Sequence, residues 1–564
     1  MLRRICSCIL LALSSVAFAQ LEVEVAGGGS ALNENIRNHI GDISPDEQQR
    51  PRLLQQKLNR AVRNATQALG YYDATFSYAI ANEELRLQVK TGEPTLWRNA
   101  EITIQGDAAA LAEIKQLIAT APFDDSVIVN HSTYEDYKRS LLELCQQSGF
   151  LDAHYSKSEL LVNVEQRRAD VSLNIRGGER YRFATPQFEG SQLNEDLLQR
   201  LSPIEPGTYY SKETLTQLQR NLQQSRYFRE INVRTEKLDN HEFAIKAELG
   251  DAPRHQFNIG AGYGTDTGPR AKFRWERPFV NSAGHKLNTE LSVSQLLQML
   301  TLEYSIPLDP PLDRSLHYVT EWERKSVQDT ESTVGSLGFF FSRRHQETWR
   351  INYGASFFNE SYRQGAERRK TVAYLAPTFN ATYIDLPEQV DPLSGRKMWF
   401  DTLGSTPELG ADVAFLRADA GLKQIFNTFG TQLLIVRGEA GVIATSDIEQ
   451  IPASQRFFTG GDQTVRGYDF ESLATKDAAG NLIGGRYLNA ASVEYSVKVA
   501  PSWRAAVFTD AGRAFNDRDE PWHQSVGIGA RWLSPVGQIR VDLAVPINED
   551  SSGFRLHIFI GPPL

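Results

Sequence analysis

His255-Gln256-Phe257-Asn258-Ile259-Gly260-Ala261-Gly262-Tyr263-Gly264 is the stretch at which the chain changes its period. His255, Phe257, Ile259, Ala261 and Tyr263 alternate with Gln256, Asn258, Gly260, Gly262 and Gly264. An alternation of this kind belongs to a strand with two unlike faces. The same period runs to the end of the chain. Ile539, Val541, Leu543 and Val545 alternate with Gln538, Arg540, Asp542 and Ala544, and Leu556, Ile558 and Ile560 with Arg555, His557 and Phe559. From His255 to Ile560 there are sixteen such runs. A soluble sandwich would also alternate. However, Arg531, Arg540 and Asp542 share the non-apolar face, as a wet lumen permits, and the count is even. Both features point to a 16-stranded antiparallel transmembrane β-barrel over residues 253–564.

Upstream of that stretch, from Leu21 to Ala252, one pattern recurs three times: a strand, helical stretches, a short turn and two strands. The turns read Leu69-Gly70-Tyr71-Tyr72-Asp73-Ala74, Ser148-Gly149-Phe150-Leu151-Asp152-Ala153 and Ser225-Arg226-Tyr227-Phe228. The expected modules are 20–92, 93–177 and 178–252, each an α+β unit of βααββ order. Tyr134, Tyr137, Leu141 and Leu144 fall on one helical face, as do Leu215, Leu218 and Leu222, which is a core-packing pattern. At the start of the chain, Arg3 and Arg4 precede an apolar run from Ile5 to Val16 and then Ala17-Phe18-Ala19. These features read as a secretory signal peptide over residues 1–19, and the run is too short to span a membrane.

Removing that segment takes two arginines and no acids, so the net charge moves from −9 to −11. An acidic balance of this size argues against non-specific nucleic-acid binding. Of the three cysteines only Cys145 would remain, which excludes an intrachain disulfide framework and suits a small core residue. No nucleophile-elbow, phosphate-loop or zinc-protease motif occurs, and the ten histidines show no metal-ligand spacing. Asp266-Thr267-Gly268 occurs once and falls where a turn between strands is expected. The sequence therefore predicts no enzyme, no catalytic residues, no metal site and no cofactor.

The longest gap between strand-like runs, 445–485, carries Arg456-Phe457-Phe458-Thr459-Gly460-Gly461-Asp462-Gln463-Thr464-Val465-Arg466-Gly467-Tyr468. A gap of that length inside a compact domain is functional or disordered, and its aromatics suggest packing. On the following strands, Glu494 and Asp510 share the inward parity. A loop folded into the lumen would place Arg466 between them, its guanidinium matched to carboxylates and Gly467 allowing a tight turn.

Val465-Arg466-Gly467-Tyr468 after Phe458-Thr459-Gly460-Gly461, followed by Phe508-Thr509-Asp510-Ala511-Gly512, resembles the loop-six and strand motifs of the Omp85 superfamily of outer-membrane assembly and secretion proteins. The resemblance implies that Arg466 contacts Asp510 and, by position, Glu494. The three repeats resemble POTRA domains. Three of them with sixteen strands are most similar to the TamA branch, the outer-membrane subunits of the translocation and assembly module. The main assembly-machine subunits carry five POTRA domains, and two-partner secretion transporters carry two with a plug helix. The end, Ile558-Phe559-Ile560-Gly561-Pro562-Pro563-Leu564, also resembles that branch and departs from the terminal aromatic common in such barrels.

The resemblance implies an outer-membrane location with the POTRA domains in the periplasm. It implies a TamB-like inner-membrane-anchored partner, unfolded outer-membrane or autotransporter-type clients, and contact with outer-membrane lipid. The alternatives are a polypeptide-secreting pore of the two-partner type and lipid transport to the outer membrane. One further expectation concerns the lateral seam between first and last strands. Gly260, Gly262 and Gly264 weaken the first strand, and the last runs into Gly561-Pro562-Pro563, whose prolines have no N–H to donate. Hydrogen bonds across that seam should be few.

Overall fold

The computed structural model describes residues 20–26, 29–81, 84–265, 267–387, 391–534, 537–547 and 553–560. The signal-peptide segment 1–19 and Gly561, Pro562 and Pro563 lie outside the described residues. The chain divides into two compact units. One comprises Met1–Pro186, Ile204–Thr216 and Thr235–Ile245, and the other Gln187–Pro203, Gln217–Arg234 and Lys246–Leu564.

In the first unit, the opening repeat runs strand Gln20–Ala26, helices Gly29–Ile40, Pro45–Gln48 and Pro51–Ala68, then strands Thr75–Ala81 and Glu84–Lys90. The last strand lies in the middle of its sheet, parallel to the first strand and antiparallel to the other. The second repeat has the same order, with strands Leu96–Gln105, His154–Asn163 and Arg168–Arg176 and main helices Ala112–Ala119 and His131–Gln147. Its longer helix starts where the Asn130 side chain accepts from the Ser132 N–H, which satisfies an otherwise orphaned helix donor. That helix buries Tyr134, Tyr137, Leu141 and Cys145. Leu144 is only partly buried, because the helical rotation gives the core position to Cys145. Burial pushes the Cys145 thiol up to about 11, so it stays protonated and unreactive.

In the first two repeats the glycine after the long helix makes the joint to the next repeat. Gly70 has φ +87°, and a Cβ there would strike the Val129 carbonyl at 2.5 Å. Gly149 has φ +104°, and its Cβ would meet the Tyr210 carbonyl at 2.9 Å. Both carbonyls accept from the following segment, Gly70 from the Thr95 N–H and Gly149 from the Tyr181 N–H, each at 2.9 Å. The third copy of the turn departs from this pattern and holds Arg226 at φ +59°.

The third repeat contributes to both units. In the first, Arg182 and Phe183 pair with Glu242 and Phe243; in the second, Gln187–Glu189 pairs with Lys246–Glu248. Within the second unit its helix end is fastened to the barrel. The Tyr227 hydroxyl donates to the Gly284 carbonyl at 2.8 Å, and the Lys286 ammonium donates to the Ser225 carbonyl at 2.8 Å while lying over the Tyr227 ring.

The barrel is one sheet of sixteen antiparallel strands in sequence order, from strand one, Gln256–Gly264, to strand sixteen, Arg555–Ile560. The expected period holds along its wall. Val493, Val507, Ile528 and Val541 face outward and are exposed, whereas Ser492, Asp510, Arg531 and Asp542 face inward and are buried. Strands one and sixteen run side by side, yet among the described residues no ladder joins them. The segment 446–486, between strands eleven (Leu433–Thr445) and twelve (Tyr487–Ala500), is packed and not solvated. Ile451, Phe457, Val465, Tyr468, Leu473 and Leu482 within it are all buried.

Candidate functional site: the in-folded loop and the wall it grips

Strands twelve to fifteen present a row of inward side chains set by the pleat: Ser492 and Glu494 on twelve, Phe508 and Asp510 on thirteen (Trp503–Phe515), Arg531 on fourteen (His523–Ser534), and Asp542 on fifteen (Gly537–Pro546). The loop lowers Arg466 among them. Its Nε donates to Asp510 Oδ2 at 2.7 Å and its Nη2 to Asp510 Oδ1 at 2.9 Å, a two-pronged pairing. Its Nη1 donates to Glu494 at 2.8 Å and to Asp542 at 3.1 Å, and Nη2 reaches the Ser492 hydroxyl at 3.2 Å. The Arg466 backbone N–H also donates to Asp510, at 3.0 Å. The guanidinium plane stacks 3.3 Å from the centre of the Phe508 ring.

A second arginine shares the same acids. Arg531 donates to Glu494 at 2.8 and 3.1 Å and to Asp542. Three carboxylates thus hold two guanidinium groups, and every charge in the cluster is hydrogen-bonded. Arg466, Glu494, Asp510, Arg531 and Asp542 are each at most 7% exposed. In so dry a setting, removing one member strands the others as uncompensated buried charges.

The remaining motif residues have steric roles. Gly467 sits at φ +96°, a conformation glycine takes without strain, and its N–H donates to His557 Nε2 at 2.9 Å. Gly512 faces Val465, and a Cβ there would come within 2.6 Å of the valine methyl. Gly527 likewise leaves room for the Phe508 ring, which a Cβ would approach to 2.2 Å. The Tyr468 hydroxyl donates to the Gln524 carbonyl at 3.2 Å. Along strand thirteen, Phe508 therefore stacks on the loop arginine, Asp510 binds it, and Gly512 accommodates the residue before it.

Arg466, Glu494, Asp510, Phe508, Gly512, Val465, Gly467 and Tyr468 all meet at this site. Gly260 and Gly262 do not; they lie on strand one, with no atom closer than 3.8 Å to where a Cβ would stand, and Gly264 closes that strand. The sequence reading did not assign Asp542, Arg531, Ser492, Arg437 or His557 to the cluster. Their inward parity was legible, but their level on the wall was not. Arg437 on strand eleven steadies the loop from the other side by donating to the carbonyls of Gln463 and Thr464. Strand sixteen is tied to the loop by His557 and by an Arg555–Asp469 ion pair. Among the described residues no group of three His, Cys, Asp or Glu is placed to hold a metal.

Comparison with known proteins follows the same division of the chain. The Omp85 superfamily domain matches residues 281–561. The POTRA domain TamA domain 1 matches 22–91, and a POTRA family described as surface antigen variable number repeat matches 181–249. Outer membrane protein assembly factor BamA of Neorickettsia risticii is 21% identical over 542 residues, covering 86% of this chain and 68% of that protein. The same factor of Nitratidesulfovibrio vulgaris is 21% identical over 477 residues, covering 76% of this chain and 55% of that one. Among solved structures, BamA from Haemophilus ducreyi lacking POTRA domains 1–3 superposes with a TM-score of 0.70 at 16% identity, covering 83% of this chain and 99% of that one. The chain belongs to the Omp85 superfamily: an outer-membrane β-barrel of sixteen strands preceded by POTRA domains, which lie in the periplasm.

Proposed function

We propose that this protein is a non-enzymatic assembly factor that helps the strands of other outer-membrane proteins, including autotransporter-type clients, into the outer membrane. The observation that carries the reading is the seam. Strands one and sixteen are adjacent but, among the described residues, share no ladder. An unpaired strand edge is a template for another chain, and strand addition is an established recognition mode. The curated relatives named above are themselves called outer membrane protein assembly factors, which supports the reading.

We further propose that the first POTRA domain docks a TamB-like inner-membrane-anchored partner, on the strength of its match to the TamA family, while the third serves the barrel. The bonds from Tyr227 to Gly284, in the turn before strand three (Lys286–Val293), and from Lys286 to Ser225 support that second role. A polypeptide-secreting pore is the rival, and the lumen disfavours it. The loop packs inside the lumen against strands eleven to fifteen. Near the periplasmic end Asp391, in the turn before the strand Gly395–Ser405, binds Arg504 through two contacts of 2.8 Å. Lipid transport would use the same partner without a client strand.

The test is a crosslink between cysteines introduced at Ile259 and Ile558, on the outward faces of the two seam strands. The locked barrel should stop assembling an autotransporter client and recover on release. Undiminished assembly by the locked form refutes the edge mechanism, and continued lipid delivery by that form favours lipid transport. Deleting residues 20–92 should abolish co-purification of the partner while leaving a folded barrel.

A further inference from the structure

Two lateral rows of cations line the periplasmic half of the lumen. On strands nine (Gly395–Ser405), ten (Phe415–Asn427) and eleven, Lys397, Lys423 and Arg437 stand directly opposite one another in register. On strands twelve to fifteen, Lys498, Arg504, Arg531 and Arg540 do the same. Like charges directly opposite each other weaken a sheet, so each row costs stability unless something neutralises it.

Part of the charge is neutralised within the chain. Arg531 has Glu494 and Asp542, and Arg504 has Asp391. Lys423 and Arg437 are in a different position: among the described residues neither has a carboxylate within 4.0 Å. Arg437 donates to two loop carbonyls, which leaves its charge in place. Lys423, Arg437, Arg504, Arg531 and Arg540 all line one cavity of about 50 Å³, which also touches Arg466; the carboxylates of Asp391, Asp462 and Glu494 share its wall, so its cations outnumber its acids six to three. A single water needs only ~10–15 Å³ of such space, so there is room for a larger guest. Asp391 enters from the periplasmic turn and already supplies one carboxylate to this wall.

We propose that this cavity is a binding site for an oxyanion of the phosphate class, held by Lys423, Arg437 and Arg540. Lysine acts there as a point charge, and the arginines offer forked donors matched to tetrahedral oxygens. The bound anion neutralises the row on strands nine to eleven and ties it to the wall that grips the loop. The inference is independent of the assembly reading. The phosphate group could belong to a lipid headgroup or be free.

The experiment uses the full-length protein in phosphate-free, phospholipid-free detergent. Thermal unfolding is followed against inorganic phosphate and against chloride at matched ionic strength. The expected result is a saturable rise in Tm with phosphate and none with chloride. Lys423→Met should raise the half-saturating concentration at least tenfold. Without phosphate, that variant should unfold at the same or a higher temperature, because a like-charge pair is gone. Lys397→Met, outside the cavity lining, should shift the half-saturation less. Native mass spectrometry of protein taken directly from membranes separates the sources. A phospholipid retained by the wild type and lost by Lys423→Met assigns the headgroup, and phosphate saturation with no retained lipid assigns the free ion. A Tm rise reproduced by chloride, a Lys423→Met titration matching wild type, or an anion-free Lys423→Met that is less stable would overturn the proposal.

Discussion

The wall at strands twelve to fifteen and the seam at strands one and sixteen belong to one sheet and are built in opposite ways. At the wall, ladders run ten residues or more, and five buried charges and a stacked phenylalanine clamp the loop. At the seam, strand sixteen is six residues long, strand one alternates glycine inward with exposed Phe257 and Ile259 outward, and no described ladder closes the gap. The contrast shows where rigidity is placed. Under the proposed edge mechanism the barrel parts at one line and the rest of its wall is held; buried, mutually satisfied charges resist slippage because any shift leaves one unpaired.

Breaking the clamp is the severest test. Arg466→Ala leaves Asp510, Glu494 and Asp542 facing one another with one guanidinium fewer, a loss of about 3–5 kcal/mol. The expected outcome is a loop, 446–486, that is cut by added protease while the barrel stays inserted and heat-modifiable. Protease resistance equal to wild type would show that the clamp does not hold the loop.

A milder test uses glycines, one from each region. Gly512→Val should drive a methyl into Val465 and cost about 1–3 kcal/mol by overpacking. Gly262→Ala meets open space at an ordinary φ and should instead be neutral or stabilise by about 0.4–1 kcal/mol. Chemical denaturation of the detergent-solubilised barrel measures both. Equal losses at the two positions would erase the distinction between wall and seam.

Between these lies the link joining the regions. His557→Phe removes the acceptor for the Gly467 N–H and should cost about 1–3 kcal/mol, the penalty for a buried donor left unmet. Hydrogen exchange in Arg555–Ile560 should quicken, with strands twelve and thirteen unchanged. Equal quickening in all three would mean that the seam and the wall move as one body. The smallest effect is expected from Arg555→Gln, whose ion pair with Asp469 is about half exposed and is worth roughly 0–1 kcal/mol. Salt titration of loop proteolysis should barely separate it from wild type.

Much of this was determined by the sequence alone. Period-two alternation marks strands and assigns each side chain a face, so the sixteen strands and the inward parity of Glu494 and Asp510 were legible. So were the repeats, because the order of strand, helices, short turn and two strands recurs, marked by a helix-end glycine in the first two copies. Tertiary structure decided the rest. Parity is unchanged by a slip of two residues, yet such a slip moves a side chain about 6–7 Å along the strand. That distance separates an ion pair from a stranded charge. Hence Asp542 and Arg531, plainly inward in sequence, joined Arg466 only once neighbouring strands had set their levels. Asp391 met Arg504, and His557 met Gly467, only through the curvature of a sheet that brings residues 113 and 90 positions apart together. Local pattern chooses the face; the register of the curved wall chooses the partner.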